Sequence, residues 1–99
     1  MIKVRFSDTR IEAKGHAGYA AKGKDIVCAG FSSLFYTFVA ATGAETERLE
    51  DGTDVARATL TRENIIICEA IKKGCELLES NFPDFISVST LPNESSESV

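Results

Sequence analysis

From the second residue onward apolar and polar positions alternate: Ile2, Val4 and Phe6 fall on one side, Lys3 and Arg5 on the other. After the turn residues SDTR the alternation resumes, with Ile11 and Ala13 against Glu12 and Lys14. A period of two over two short runs joined by turn formers predicts a β-hairpin. Gly15 keeps phase with the buried row and His16 with the exposed one, so the imidazole is expected at the end of the second strand, facing away from the core.

The alternation stops in GYAAKGK, residues 18 to 24, which has no apolar period and reads as a loop. Beyond it the period changes. Asp25 stands where an N-cap belongs, Val27, Phe31, Leu34, Phe35 and Phe38 recur at helical spacing, and Gly43 supplies a C-terminal stop, which predicts a helix of about 17 residues. Asp51-Gly52 between two alternating runs is the strongest hairpin signal in the chain and implies two more strands. Thr61 then opens a second helix with Glu63 in its first turn and a stripe of Ile67, Ile71, Cys75 and Leu78, ending near Asn81-Phe82-Pro83. Phe85 to Thr90 reads as a fifth strand. Residues 91–99, LPNESSESV, have almost nothing to bury and are expected to form a disordered, acidic, Ser-rich tail. The order ββαββαβ describes one α+β domain over residues 1–90, two helices packed on a largely antiparallel sheet.

Composition narrows the class. With 99 residues, 43% of them apolar, the chain has room for a single modest core. A domain this short buries only about 60–65% of the surface its unfolded chain exposes, so a homodimer interface would add to its stability. The net charge of -4 is uneven: residues 1–24 sum to +4 and the rest to -8, which disfavours extended contact with nucleic acid and leaves a protein segment as the easier partner. The chain has no run long and apolar enough to span a membrane, and MIKVRFSDTR lacks the apolar stretch of a secretory signal, so a cytoplasmic protein is expected. Three cysteines with no CxxC pair fit neither a disulfide framework nor a zinc site, and neither metal nor cofactor is called for. Cys68 and Cys75 lie about 10.5 Å apart along the second helix, too far to bridge, and read as reduced core thiols. Glu69, Lys72, Lys73 and Glu76 read as that helix's solvated side.

The candidate chemistry lies between the two periodic regions. Cys28 would be the third residue of the first helix, where the macrodipole favours a thiolate and first-turn amides could serve an oxyanion. His16, the only histidine, is either a surface residue or the base for that thiol. Asp25 is either the helix cap or a group that orients the histidine or meets substrate. Ser32, one turn after Cys28, either lines a cleft or is a small residue chosen for packing. The segment from Gly18 to Lys24 is either a plain connection or a lid hinged at Gly15 and Gly23. Phe31 and Phe35 suit the core, and Tyr19 is the better placed aromatic for a ligand.

Gly15-His16-Ala17-Gly18, Gly23, and Asp25-Ile26-Val27-Cys28-Ala29 followed by Ser32 together resemble the signature of the ribosomal-processing cysteine protease family, Prp, with a looser match from residue 1 to about residue 90. The resemblance implies the ββαββαβ fold, a homodimer, and a Cys/His endopeptidase with Cys28 as nucleophile and His16 as base. The implied substrate is the N-terminal extension of a large-subunit ribosomal protein, the bacterial homologue numbered twenty-seven; relatives in mobile elements are thought to trim capsid or scaffold proteins instead. Two other classes compete: a non-catalytic ribosome-associated or assembly protein that holds a peptide without cutting it, and a thiol redox sensor, for which Cys28 would need a resolving cysteine nearby.

Overall fold

The computed structural model describes residues 1–21 and 24–91. The elements follow the expected order: β1 (Ile2–Ser7), β2 (Arg10–Lys14), α1 (Ile26–Thr42), β3 (Glu45–Arg48), β4 (Asp54–Arg57), α2 (Arg62–Asn81) and β5 (Ile86–Thr90). They form one five-stranded sheet in the order β3-β4-β2-β1-β5. Three of its four pairings are antiparallel, and β1 with β5 is parallel because α2 carries the chain back across the sheet.

Register explains which strand positions are buried. Val4 pairs with Ala13 and Val88, and Phe6 with Ile11 and Thr90, so the even positions of β1 meet the odd ones of β2 on one face. That face packs on Val27, Phe31, Phe35 and Phe38 of α1 and on Cys68, Ile71 and Cys75 of α2. Burying a side chain such as Phe38 or Phe6 contributes about 1.5–3 kcal/mol, and this two-layer core is the main source of stability. The opposite face carries Lys3, Arg5, Arg10, Glu12 and Lys14. Glu12 is buried there, gripped by Arg5 at 2.7 Å and Arg10 at 2.6 Å. Alternation predicted its direction; its burial between two guanidinium groups is a tertiary effect.

Both helices start on their expected caps. Asp25 accepts from the amides of Val27 and Cys28, and Thr61 Oγ1 accepts from that of Asn64 at 3.1 Å. Gly43 ends α1 in the left-handed region, at φ 68°. The Asp51-Gly52 signal is realised as a longer connection than a two-residue turn. Leu49 pairs with Thr53, Gly52 sits at φ 89°, and the Thr53 amide donates to Asp51 Oδ1. The edge strand β5 is guarded by α2, whose Glu79 accepts from the Val88 amide at 2.9 Å. Leu91 donates to the Phe6 carbonyl, so the structure runs one residue into the expected tail; residues 92–99 lie outside the described part.

Gly30 lies in α1 beside the Leu78 side chain. A methyl group there would meet only the side chain of Leu78, at 3.4 Å, an ordinary contact. Gly30→Ala is therefore expected to raise stability by about 0.5–1 kcal/mol through backbone entropy, read as an increased denaturant midpoint. Burial raises the Cys68 thiol to about 11 and the Cys75 thiol to about 12. In native protein at pH 8 iodoacetamide should modify half-buried Cys28 alone, with the other two reacting only in denaturant, as mass spectrometry of the digested product would show.

Candidate active site

Two left-handed glycines frame the segment that carries the histidine. Gly15 has φ 94° and Gly18 φ 71°, conformations other residues rarely adopt. At Gly15 a side chain would also overlap the Met1 carbonyl oxygen, so this glycine is packed against the start of β1 and is no open hinge. Gly23, the other expected hinge, lies outside the described residues. Between the two glycines the backbone turns so that His16 is exposed while the methyl group of Ala17 is buried at 3% exposure. The Ala17 amide points at the thiol of Cys28, with N to Sγ 3.3 Å.

Asp25 holds this arrangement together. Its Oδ1 accepts from the amides of Val27 and Cys28, both at 3.0 Å, and its Oδ2 from those of Tyr19 at 3.0 Å and Ala20 at 3.5 Å. These donors, the Cys28 amide foremost, hold its carboxyl below the usual carboxylate range. Capping is thus the role the structure displays for Asp25, extended to tethering the loop. The first-turn amides expected to face an oxyanion are taken: Val27 and Cys28 donate to the carboxylate, and Ala29 to the Asp25 carbonyl.

His16 and Cys28 line the same cavity, of about 490 Å³, together with Gly15 and Ser32. Ser32 therefore lies on the cleft. Phe31 borders the cavity as well as the core, whereas Phe35 belongs to the core proper. Tyr19 is placed elsewhere. Its ring stands edge-on to Phe82 and Phe85, with centroids 5.4 and 5.2 Å away, so it fastens the loop to the turn between α2 and β5.

The far wall was not foreseen. It is built by Tyr36 of α1 and by Arg48 and Asp54, which face each other across β3 and β4. Arg48 makes a two-pronged pair with Asp54, at 2.8 and 3.0 Å. At the rim Lys14 meets Asp51 at 3.4 Å, an exposed pair of little energetic weight. A two-residue turn at Asp51-Gly52 would have set Arg48 opposite Val55, and the longer loop sets it opposite Asp54 instead; the Ala17 amide, a matter of backbone, left no side-chain signal. Among the described residues, no group of three His, Cys, Asp or Glu side chains could hold a metal ion, and no helix is long and apolar enough to cross a membrane.

Comparison with known proteins shows the family and the fold. The chain is 32% identical over 94 residues to the ribosomal processing cysteine protease Prp of Mycoplasma pneumoniae, covering 88% of this chain and 92% of that one. A stretch of 40 residues, 40% of either chain, is 52% identical to the protein of the same name from Mycoplasma genitalium. The fold matches the crystal structure of the essential ribosomal processing protease Prp from S. aureus in complex with a covalently linked product peptide, with a TM-score of 0.81 at 22% identity over 92% of this chain and all of that one. The family model for cysteine protease Prp matches residues 1–87, and with the cysteine, the histidine and the α+β fold in place, this chain belongs to the Prp family of cysteine proteases.

Proposed function

We propose that the chain is a processing endopeptidase in which Cys28 is the nucleophile and His16 the general base, and that its substrate is the N-terminal extension of the large-subunit ribosomal protein numbered twenty-seven. The observation that carries the reading is that both side chains line one cavity large enough for several residues of peptide. His16 takes the thiol proton, the thiolate attacks the scissile carbonyl, and the imidazolium returns the proton to the departing amine. Water then attacks the thioester with His16 again as base, releasing the carboxylate product.

Further support comes from the relatives, which are named for ribosomal processing. The S. aureus protease holds a covalently linked product peptide, as a thioester-forming mechanism would allow. The enzyme is assigned to the cytoplasm, where ribosomes assemble, and is expected to act as a homodimer.

The test is incubation with the extended ribosomal protein and mass measurement of the products. Wild type should release one N-terminal peptide. Cys28→Ala should lower the rate by about 10³-fold or more, and His16→Ala by about 10²–10⁴-fold, both with unchanged circular dichroism, because neither side chain is part of the buried core. An uncut substrate, or a Cys28→Ala protein that cuts normally, would refute the reading. Gly15→Ala should lose both activity and stability, the latter by about 1–3 kcal/mol, since it strains the backbone.

A further inference from the structure

We infer that the backbone amide of Ala17 is an oxyanion donor of this protease, a role that rests on Cys28 being the nucleophile. In many cysteine and serine hydrolases a helix N-terminus or the nucleophile's own amide supplies such a donor. Here the amides of Val27, Cys28 and Ala29, the nucleophile's own among them, are engaged. Asp25 Oδ1 takes the amides of Val27 and Cys28, its Oδ2 takes those of Tyr19 and Ala20, and its carbonyl takes that of Ala29. The amide aimed at the reacting atom is that of Ala17, 3.3 Å from Sγ.

Its setting is rigid. The Ala17 methyl group is buried in the hydrophobic core, and the Asp25 carboxylate holds the amides of Tyr19 and Ala20 just beyond it, so the N–H is positioned before any substrate arrives. Such preorganisation is what makes a hydrogen-bond donor effective on developing charge. Ala17 is the next residue after the histidine, so base and donor are carried on one short segment at the cavity that Cys28 lines.

The chemistry is a transfer of one hydrogen bond from sulfur to oxygen. In the free enzyme the N–H donates to Sγ. When the thiolate bonds to the scissile carbon, the carbonyl π pair moves onto oxygen and sulfur loses its negative charge, so the oxyanion becomes the stronger acceptor for the N–H. The new oxyanion, two bonds from Sγ, lies within reach of a donor already 3.3 Å from that sulfur. Collapse re-forms the carbonyl and breaks the carbon–nitrogen bond, the amine leaving with the proton from His16. Attack of water on the thioester repeats the sequence, and the carbon–sulfur bond breaks.

The N–H can be deleted without touching a side chain. Ala17→Pro would remove it but also bend the loop, so the decisive variant replaces the amide between His16 and Ala17 by an ester. It is prepared by joining a synthetic 1–27 segment to residues 28–99 at Cys28. Three measurements are made on this variant and on wild type: cleavage of the extended ribosomal protein, affinity for a peptide aldehyde that forms a tetrahedral adduct with the thiol, and alkylation by iodoacetamide, which forms no oxyanion. The expected result is a fall of about 10²-fold or more in kcat and in aldehyde affinity, with KM and the alkylation rate changed far less and the thermal midpoint retained. Unchanged cleavage would overturn the assignment. A fall in alkylation equal to the fall in cleavage would also overturn it, since the amide would then act on the thiolate alone. If wild-type Cys28 accepts neither aldehyde nor iodoacetamide, the nucleophile itself is misassigned; an adduct on wild type bound equally by the ester variant would sink only the role of Ala17.

Discussion

The site depends on one carboxylate. Asp25 sits where a loop becomes a helix, and its two oxygens point in opposite senses along the chain, one toward the first turn of α1 and the other back toward Tyr19 and Ala20. A cap usually settles the amides of its own helix. This one also fixes where the preceding loop lies, and that loop carries His16. The position of the histidine relative to the thiol is therefore set by the same group that starts the helix bearing the thiol. Moving one without the other would leave amides on a charged group unpaired, which costs more than an ordinary surface rearrangement.

The frame around this carboxylate was largely legible in the sequence because it follows local rules. Period-two alternation located β1 and β2, Asp25 and Gly43 bracketed α1 to the residue, and Thr61 opened α2. Where reading failed, the cause was contact between segments distant along the chain. The parallel partnership of β1 with β5 joins the two ends of the domain, and no local pattern encodes it. Buried α2 positions are Cys68, Ile71 and Cys75: the stripe that periodicity suggested shares Ile71 and Cys75 with them, while Ile67 and Leu78 lie at its margins and stay partly exposed. Phe85 precedes the strand: its carbonyl accepts from the Ile2 amide while its ring packs against Tyr19.

At the site the same division holds. Residue types singled out His16 and Cys28 and one helical turn added Ser32, and all three line the cavity. Tyr19 stands away from the cavity that holds His16 and Cys28, because an aromatic ring in a loop finds the nearest apolar surface, here Phe82 and Phe85. The first-turn amides looked available from position alone, and only the structure reveals that the cap consumes them. Tyr36, Arg48 and Asp54 carried no signal in the sequence that set them apart. They become a wall because the hairpin projects beyond the helices.

That projection has an architectural consequence. Two helices are too few to roof five strands, and β3 is exposed along its whole length, including Thr46 and Arg48 on the side where the helices lie. A larger α+β protein would shelter those strands with a third helix. In this chain the missing roof is the cleft: the flank of α1 and the bare strands beside it make a trough without any segment devoted to forming one. A domain of 99 residues thereby keeps a working hollow while spending nearly all its apolar side chains on its core.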